Sequence, residues 1–340
     1  MKSDIIVGLQ HGDEGKGKVV LSLINDKYDY CLRFNGGPNA GHTVYVKGNK
    51  IVLHQIPCGI LNNITSIIGS GCVVDLQKLK EEIDILTKHG VNVESLLKIS
   101  HNAHVISEEH IQDDINDNPI GSTKSGIRPV NRDKYDRKGT RISNVNKEIL
   151  KSCIGDCGIV DPYELFHNSH QKNVRVLCEG AQGFELDIDY GQYPYVTSTH
   201  CVSGFVNSSA VPINSVNKVY GIAKIYATYV GSMEFEDKNE KIFSQLRELG
   251  EEQGATTGRD RQINWLNIER LRKSVIINSV SDLIINKCDI IEKLGVFKLI
   301  DNNNILEFLT FDDMKKHIVS RLKDIIKPKK IIFSGNKDGI

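Results

Sequence analysis

The chain has 340 residues, of which 39% are hydrophobic and 25% are charged, and its formal net charge is zero. These are ordinary globular values, and without a linker or repeat we expect residues 1–340 to form a single domain. Zero net charge excludes a general attraction to nucleic acid. No apolar run reaches the roughly 20 residues that span a bilayer, and no signal-peptide pattern is present, so we expect a cytoplasmic protein without membrane contact.

Residues 8–17, GLQHGDEGKG, lie between two short apolar runs that predict a buried strand followed by a helix. A glycine-rich turn at a helix N-terminus presents backbone N–H groups to phosphates, and Lys16 can neutralise their charge. The segment departs from the G-x-x-x-x-G-K-[ST] loop, because Gln10 stands at its first glycine and Gly17 at its hydroxyl position. Asp13 can hold a metal ion or accept a proton. The alternative is a helix-entry turn whose acidic residues complement the helix dipole.

A second glycine-rich turn, residues 35–43 (NGGPNAGHT), follows another strand-like stretch and carries an amide and a histidine. Two such turns close together predict one shared site. The apolar runs 44–46 and 51–53 flank a polar turn and predict a β-hairpin.

The later elements favour an α/β fold. Asp75 is a predicted N-cap of a helix that His89-Gly90 ends. Buried strands are predicted at 174–177, 218–225, 283–286 and 330–333, and nearly all of them are followed by glycine or a polar turn. We therefore expect a P-loop-NTPase-like fold with a mixed, largely parallel central sheet, flanking helices, and small antiparallel and loop excursions.

Residues 120–141 differ in composition from the rest of the chain. They are rich in Gly, Ser, Lys and Arg and offer few apolar positions. We expect this segment to be mobile until an anion orders it, and a solvated surface loop is the alternative.

Asn286-Lys287-Cys288-Asp289 follows an apolar run and reproduces the N-K-x-D arrangement of guanine-binding loops. An aspartate in that position accepts hydrogen bonds from both N1–H and N2–H of guanine, and adenine offers no such pair of donors. The motif favours GTP over ATP, and a strand-end turn is the alternative.

The eight cysteines are spread along the chain without C-x-x-C spacing. We interpret them as reduced thiols, with a zinc site or disulfides as the alternatives. Cys58, Cys72, Cys178 and Cys288 lie in apolar runs, where free cysteine behaves as a small buried hydrophobic residue.

Several segments, in this order along the chain, resemble the adenylosuccinate synthetase family. They are GDEGKGK at 12–18, NGGPNAGHT at 35–43, EGAQG at 179–183, LDID at 186–189, YPYVTS at 193–198 and GATTGR at 254–259. The resemblance covers residues 5–289, and a weaker match lies at Ser334-Gly335.

This resemblance implies a ligase that joins L-aspartate to C6 of a 6-oxopurine nucleotide, IMP, while GTP is hydrolysed. In the family a base removes the N1 proton so that O6 can attack the γ-phosphate, and an acid stabilises the transferred phosphoryl group. Asp13 matches the base and His42 the acid, and Lys16 and Gln182 complete the expected catalytic set. Mg²⁺ is the expected cofactor, held by Asp13 and the carbonyl of Gly41.

The resemblance also implies binding residues. Those for the nucleoside triphosphate are Gly12, Glu14, Gly15, Lys16, Gly17, Gly41, His42, Thr43, Lys287, Asp289, Ser334 and Gly335. Those for the purine monophosphate are Asn39, Ser122, Thr123, Arg137, Gln182 and Thr197, and those for aspartate are Thr257, Arg259 and Arg261. In the family the arginine that matches Arg137 reaches the phosphate of the neighbouring subunit, which implies a homodimer with shared active sites. Taken singly, Gln182 is also explained as a turn cap and Thr197 as a strand-end hydroxyl.

Some positions depart from the family pattern. Asp260 and Gln262 replace arginines of the usual aspartate loop, His11 replaces a tryptophan, and residues 230–235 replace the usual VGAGPFP. Arg259 and Arg261, the expected carboxylate clamps, are retained. The chain is also shorter than the common bacterial enzymes and resembles the compact archaeal and phage forms.

These departures leave the purine open between IMP and GMP or dGMP. Phage members that use dGMP make 2-aminoadenylosuccinate, and many of them replace the loop aspartate and favour ATP, whereas Asp13 and the N-K-x-D segment resemble the IMP enzyme. A further alternative is a GTP-binding regulatory module without ligase activity. Such a module has no use for His42 or for the paired arginines.

Overall fold

The fold is described from a computed structural model of the chain. The described residues are 1–24, 27–46, 49–117, 119–168, 173–237, 240–254, 258–323 and 330–335. Within these ranges, no helix combines the length and the hydropathy that a membrane span requires.

The strands, numbered in chain order, are β1 (Lys2–Gly8), β2 (Tyr30–Arg33), β3 (His42–Val46), β4 (Asn49–Leu53), β5 (Thr65–Ile68), β6 (Val73–Val74), β7 (Leu97–Ser100), β8 (His104–Val105), β9 (Gly158–Val160), β10 (Arg175–Glu179), β11 (Val216–Lys224), β12 (Tyr226–Tyr229), β13 (Gln262–Asn267), β14 (Asp282–Asn286), β15 (Phe297–Asp301), β16 (Asn304–Phe308) and β17 (Lys330–Phe333).

The α-helices are α1 (Lys16–Leu23), α2 (Leu76–Lys88), α3 (Val93–Leu96), α4 (Glu108–Asn116), α5 (Ile127–Tyr135), α6 (Lys147–Ile154), α7 (Ile242–Gly250), α8 (Ile268–Ile277), α9 (Cys288–Leu294) and α10 (Phe311–Lys323). Shorter 3₁₀ turns occupy Cys58–Asn62, Ile142–Asn144, Phe184–Leu186, Ser203–Ser209 and Ile213–Ser215, and a π turn occupies Glu164–Asn168.

Nine strands form the central sheet in the order β17-β14-β11-β1-β10-β2-β5-β7-β9. Every neighbouring pair in this sheet is parallel, so all of its carboxyl ends lie along one edge. Parallel strands need crossover connections, and the helices between them supply these connections. The predicted strands at 174–177, 218–225, 283–286 and 330–333 correspond to β10, β11, β14 and β17, and the expected α/β architecture is confirmed.

The antiparallel pairing lies outside the central sheet. The predicted hairpin forms from β3 and β4 as a separate two-stranded sheet. A four-stranded sheet, β12-β13-β15-β16, contains two further antiparallel pairs. The antiparallel excursions that the sequence predicts are therefore additions to a sheet that is itself parallel throughout.

The central sheet is covered on both faces. Successive residues of β1 enter different clusters of buried side chains, with Ile5 and Val7 in one and Ile6 in the other. Alternate residues of a strand point to opposite faces, so a strand buried on both faces must be apolar throughout. This explains why the strands are continuous apolar runs in the sequence.

Helix α2 begins and ends where the sequence predicts. The side chain of Asp75 accepts hydrogen bonds from the amides of Gln77 and Lys78, each 3.1 Å long, and the helix ends at Lys88. These bonds satisfy amide groups that have no partner within the first turn of a helix.

The segment 120–141 contains more regular structure than its composition predicts. Residues Ile127–Tyr135 form α5, and this helix buries Ile127 and Val130 in a small cluster with Val73. Two apolar side chains three residues apart lie on the same face of a helix, so they anchor the segment despite its many charges. The prediction that an anion must order the whole segment is therefore wrong for residues 127–135.

All eight cysteines are free, and seven of them are buried. The burial predicted for Cys58, Cys72, Cys178 and Cys288 is confirmed. Their thiols lie in the apolar layers around the central sheet, as their positions within apolar runs predict.

Candidate active site

Three loops leave neighbouring strands at the carboxyl edge of the central sheet. They comprise residues 9–15 after β1, residues 180–183 after β10, and residues 34–41 after β2. Ligands of open parallel sheets bind at this edge, and a cavity of about 660 Å³ lies here. Asp13 and His42 both line the cavity, so the two predicted catalytic side chains share one site.

Most of the predicted site residues line the same cavity. They are Gly12, Asp13, Glu14, Gly15, Lys16, Gly17, Asn39, Gly41, His42, Thr43, Ser122, Thr123, Gln182, Thr197, Arg259, Arg261, Lys287 and Asp289. Ser334 and Gly335 are beside Asp289, but they do not line the cavity. Arg137 is exposed outside it, and Thr257 lies outside the described residues.

The first loop is shaped by Glu14, whose side chain is almost fully buried. One carboxylate oxygen accepts hydrogen bonds from the amides of Gln10 (3.1 Å) and Gly12 (2.9 Å), and the other contacts the amine of Lys16 at 2.6 Å. The Lys16 amine also donates to the carbonyl of Gln182 in the loop of residues 180–183. Glu14 thus holds the loop and its lysine in place, and its carboxylate has little capacity left for a bound nucleotide.

Close packing explains two glycines of these loops. A Cβ atom at Gly17 would lie 2.9 Å from Val44 Cγ1, so α1 can approach the hairpin only because this residue lacks a side chain. A Cβ atom at Gly183 would lie 2.5 Å from a carboxylate oxygen of Glu14. The short distance between Gly17 and Val44 also explains why position 17 lacks the hydroxyl residue of the G-x-x-x-x-G-K-[ST] pattern.

Four residues that line the cavity have backbone conformations that side chains disfavour, and one of them, Glu251, has a φ of 52°. Asp13, Gln182 and Lys287 have φ values of 60°, 56° and 63°. Left-handed conformations of this kind cost energy in residues other than glycine and cluster at functional sites. Their concentration around one cavity supports a functional role for it.

Asp13 pairs with the arginine predicted to bind aspartate. Its carboxylate lies 2.8 Å from Nε of Arg261 and is about 29% exposed. Arg261 also contacts the carboxylate of Glu252, which is completely buried. The sequence assigns Asp13 and Arg261 to different substrates, and the structure places them in direct contact.

A buried network of charges supports this pair. The amine of Lys224 lies 3.1 Å from Glu252, and the hydroxyl of Tyr226 donates to Glu252 at 2.6 Å. Burial alone would raise the pKa of Glu252, but the nearby cations, Lys224 first, outweigh it and hold the pKa at about 2. Burial lowers the pKa of Lys224 to about 8. A permanently charged Glu252 therefore anchors Arg261 beneath the cavity.

His42 is held from behind by a second buried charge cluster. Its Nδ1 atom contacts a carboxylate oxygen of Glu179, which also accepts a 2.8 Å hydrogen bond from Arg33. Burial lowers the pKa of His42 to about 4, and the positive charge of Arg33 adds to this effect. Burial would raise the pKa of Glu179, but Arg33 and His42 hold it at about 2. The imidazole is therefore neutral and the carboxylate ionised in this state.

The amide of Gln182 lies in the wall of the cavity. Its nitrogen donates to the side chain of Asn39 at 3.1 Å, and its oxygen is buried without a hydrogen-bond partner in the described part of the chain. Across the cavity, Ser122 donates to Asp114 at 3.3 Å and Thr123 donates to Ser125 at 3.0 Å. Gln182, Asn39 and Ser122 thus meet at one cavity, as the resemblance predicts.

The N-K-x-D segment begins at the end of β14. Asn286 donates a 2.7 Å hydrogen bond to the carbonyl of Glu14, so it ties this segment to the first loop. Lys287 donates to the carbonyl of Gly250 at 2.7 Å, and Asp289 lies in the first turn of α9. Asp289 is thereby placed in the wall of the cavity.

The departures from the family pattern contact one another. The amide of Gln262 makes four hydrogen bonds of 2.8–3.2 Å to backbone groups of residues 231–236, the other departing segment. The ring of His11 makes edge contacts with Tyr229 and Phe235. Asp260 contacts Gln253 at 3.3 Å. His11, Gln262 and residues 230–235 therefore form one local arrangement beside the cavity.

Two clusters of potential metal ligands occur among the residues that the structure describes. In the first, both carboxylate oxygens of Glu179 are already taken by Arg33, His42 and the amide of Cys58, so none is left for a cation. In the second, the carboxylate of Asp187 is occupied by amide donors from its own loop. The carboxylate of Asp13 and the carbonyl of Gly41 are oxygen ligands of the type that Mg²⁺ prefers, and both residues line the large cavity.

Sequence reasoning assigned no role to four charged residues of the site: Arg33, Glu179, Lys224 and Glu252. All four are 0–1% exposed, and three of them stand at the ends of apolar strands. A charged residue at the end of a buried strand must have a partner, and this is the signal that could have found them.

The parallel sheet, the glycine-rich loops at its carboxyl edge and the N-K-x-D segment define a nucleotide-binding α/β protein. A sequence profile described as adenylosuccinate synthetase matches residues 5–158 and 147–305. The chain belongs to the adenylosuccinate synthetase family.

The relatives agree with this assignment. The chain is 35% identical to adenylosuccinate synthetase of Chlorobaculum tepidum, over 98% of this chain and 87% of that protein. It is 37% identical to adenylosuccinate synthetase of Chlorobaculum parvum, over 90% of this chain and 82% of that protein. Fully ligated adenylosuccinate synthetase from Plasmodium falciparum has a similar structure, with a TM-score of 0.86, 28% identity, and coverage of 98% of this chain and 97% of that one.

A second solved structure is similar in fold alone. Succinoaminodeoxyadenylate synthetase of cyanophage S-2L, bound to dGMP and dATP as an energy donor, has a TM-score of 0.73 at 20% identity and covers 99% of this chain and 93% of that chain.

Membership of the family establishes the class of reaction. The chain is a C–N bond-forming ligase of the adenylosuccinate synthase type, which acts in purine biosynthesis and binds nucleotides, GTP among them. Enzymes of this family need a divalent metal ion.

Proposed function

We propose that the enzyme joins L-aspartate to C6 of IMP, with hydrolysis of GTP, through a 6-phosphoryl intermediate. The observation that carries this proposal is the meeting of Asp13, His42 and Lys16 at one cavity, delivered by the segments that follow β1 and β2, the two strands that flank β10 in the central sheet. Because the central sheet takes strands from residue 2 to residue 333, we further propose that residues 1–340 act as one domain.

In the first step, the carboxylate of Asp13 accepts the N1 proton of the purine, and O6 attacks the γ-phosphorus of GTP while the bond to GDP breaks. Lys16 and the amides of the first loop stabilise the phosphate charge. His42 faces the transferred group with Nε2, the ring nitrogen that has no partner among the described residues, and it donates a hydrogen bond from this atom once the ring has taken up a second proton. Gln182 holds the base, for which its unpartnered oxygen is available.

In the second step, the amine of aspartate attacks C6 and displaces inorganic phosphate. Arg259 and Arg261 are the proposed carboxylate ligands, with Thr257 assigned by resemblance. Arg261 already lies 2.8 Å from Asp13, which would bring the amino acid next to the base and the purine. A guanidinium binds a carboxylate through two parallel hydrogen bonds, and this fixes the orientation of the amine.

Mg²⁺ is the proposed metal ion, with Asp13 and the carbonyl of Gly41 as its protein ligands. When bound, the ion supplies positive charge that neutralises the phosphate oxygens during transfer. Asp289 would accept hydrogen bonds from N1–H and N2–H of guanine, which makes GTP the proposed donor. Ser334 and Gly335, which lie beside Asp289, would contact the same base from its other side.

Asn39, Ser122, Thr123 and Thr197 are the proposed contacts of the purine monophosphate. Arg137 cannot serve the cavity of its own chain in this conformation, because it is exposed outside the lining. This position supports the proposal that Arg137 reaches the phosphate bound by a second copy, in a homodimer with shared sites.

The similar fold of the cyanophage enzyme bound to dGMP and dATP gives a second candidate, in which dGMP replaces IMP and ATP replaces GTP. The aspartate at position 13 and the N-K-x-D segment favour IMP and GTP.

One assay separates these candidates. The purified protein is given L-aspartate and Mg²⁺ with each pairing of IMP, GMP or dGMP with GTP or ATP, and phosphate release and product mass are measured. We expect phosphate release that depends on aspartate, and the mass of adenylosuccinate, with IMP and GTP. A preference for dGMP with formation of its 2-amino deoxy product would replace the proposal by the second candidate. No aspartate-dependent phosphate release with any pairing would overturn both.

A further inference from the structure

Glu179 stands at the end of β10, directly behind His42, and its carboxylate is completely buried. One oxygen contacts Nδ1 of His42 and accepts from Arg33 at 2.8 Å. The other accepts the amide proton of Cys58 at 2.8 Å. Donors from three separate elements therefore fix this carboxylate in one orientation.

These contacts decide which ring nitrogen of His42 carries the proton. An ionised carboxylate can only accept, so the contact with Glu179 requires a proton on Nδ1. Arg33 lies 3.2 Å from the same Nδ1, but a guanidinium has no lone pair to offer. Arg33 and His42 are thus two donors that share one oxygen of Glu179.

The other ring nitrogen is reserved for the ligand. Nε2 of His42 is buried and has no hydrogen-bond partner in the part of the chain that the structure describes. The ring lines the large cavity beside Lys16 and Gly41. An imidazole held through Nδ1 therefore presents only Nε2 to a ligand in the cavity.

We propose that Glu179 is a positioning residue, which holds the imidazole of His42 through Nδ1 and directs Nε2 at the transferred phosphoryl group. Glu179 does not touch substrate and acts through His42 alone. The catalytic part of this inference rests on the proposed function, whereas the pairing of Glu179 with His42 does not. Partners of this kind behind a functional histidine change rates by about 10- to 100-fold when they are removed.

The first test is a double-mutant cycle with Glu179→Gln and His42→Asn. We expect Glu179→Gln to lower kcat about 10- to 100-fold and to change the KM values for GTP and IMP less than about threefold. In the His42→Asn background, Glu179→Gln should have almost no further effect on kcat, because its role passes through the histidine. Equal losses in both backgrounds, or an unchanged kcat in the single variant, would overturn the proposal.

Two further variants keep the test decisive if the loss of a buried charge weakens the fold. Glu179→Asp retains the charge beside Arg33 but withdraws the carboxylate from His42, so it should reproduce the loss of kcat with a folded protein. Glu82→Gln is the matched control, because Glu82 is also buried and accepts three backbone amides, from His54, Gln55 and Ile56, with no contact to His42. If Glu82→Gln loses as much kcat as Glu179→Asp, the cause is general destabilisation of the fold. That result would overturn the proposal.

The second test needs no activity. The ring nitrogens are observed by ¹⁵N NMR of histidine-labelled protein without ligands, and the His42 signals are assigned by their loss in His42→Asn. We expect the proton on Nδ1 in the wild type and a shift toward Nε2 in Glu179→Asp. A wild-type ring protonated on Nε2 alone would overturn the proposal. If no ligase activity is found with any purine, the proposed function fails, and this spectrum still decides whether Glu179 holds His42.

Discussion

The two sides of the active cavity are built in different ways. On the phosphate side, Lys16, His42 and their buried partners Glu14 and Glu179 are 0–6% exposed and come from β10 and from the segments that follow β1 and β2, the strands on either side of it. On the acceptor side, the segments around Ser122 and Arg259 are more exposed. Arg259 there donates a 3.0 Å hydrogen bond to the carbonyl of Gly121, so the two acceptor segments contact each other.

This difference follows from the demands of each side. Phosphoryl transfer needs fixed charges in a dry site, since electrostatic stabilisation works best when the groups are already in place. An acceptor side that must admit two substrates needs access and adjustable loops. Among the departures from the family pattern, Asp260, Gln262 and residues 230–235 lie on the acceptor side, whereas His11 lies in the first loop.

The comparison is tested most strongly at Asp13, which lies where the two sides meet. Asp13→Asn keeps the size of the side chain and tolerates the left-handed backbone, but it cannot accept a proton. We expect kcat to fall about 10³-fold, in the range of general-base catalysis. Steady-state phosphate release measures this effect.

Asp84→Asn, on the exposed face of α2, is the matched control and should behave as wild type. An Asp13→Asn enzyme within threefold of wild type would contradict the assignment of Asp13 as the base.

The two arginines of the acceptor side should give different results. Arg261→Gln removes an aspartate ligand and also frees Asp13, so we expect the KM for aspartate to rise about 10- to 100-fold and kcat to fall as well. Arg259→Gln should raise the KM for aspartate with a smaller change in kcat, because Arg259 has no ion pair with Asp13. Initial rates at varied aspartate concentration distinguish the two variants, and identical kinetic changes in both would show that the pair with Asp13 has no role.

His104, which lies beside α5, should contribute to the acid sensitivity of the fold. His104 is 7% exposed, and burial, with Lys134 and Arg141 nearby, lowers its pKa from 6.5 to about 4. The unfolded chain therefore binds the proton first, and the free energy of unfolding falls as the pH drops from 6.5 toward 4. Between pH 7.5 and pH 5, wild type should lose about 2 kcal/mol more than His104→Gln, as measured by urea unfolding.

His89→Gln, at an exposed histidine, is the comparison variant and should lose as much stability as wild type. If His104→Gln loses as much as well, His104 is not the source of the acid sensitivity.

The smallest expected effect concerns the charge of the aspartate loop. Asp260 is exposed next to Arg261, so Asp260→Arg restores a positive charge of the family pattern without breaking a buried contact. We expect the KM for aspartate to fall about two- to threefold at low salt, and the gain to shrink at high salt.

Gln262→Arg is the contrasting change, because it removes the four hydrogen bonds that hold residues 231–236, and it should lower the Tm. A lower aspartate KM in Gln262→Arg at an unchanged Tm would contradict the role assigned to this amide.

The strands of the central sheet and the position of the nucleotide loops were predictable because their signals are local. Continuous apolar runs mark strands buried on both faces, and glycine-rich turns after them mark the carboxyl edge. The motifs also led to the correct family. Local reasoning failed at α5, where two apolar side chains suffice to anchor a helix within a charged segment.

The sequence by itself determined the fold class, the family, and the set of residues that meet at the cavity, since each depends on runs of neighbouring residues. Only the tertiary structure decided the pairings of Glu179 with His42 and of Arg261 with Asp13, which join residues 137 and 248 positions apart. Burial forces charged groups to find partners, but which partner each one finds depends on the order of strands in the sheet, and no local pattern encodes that order.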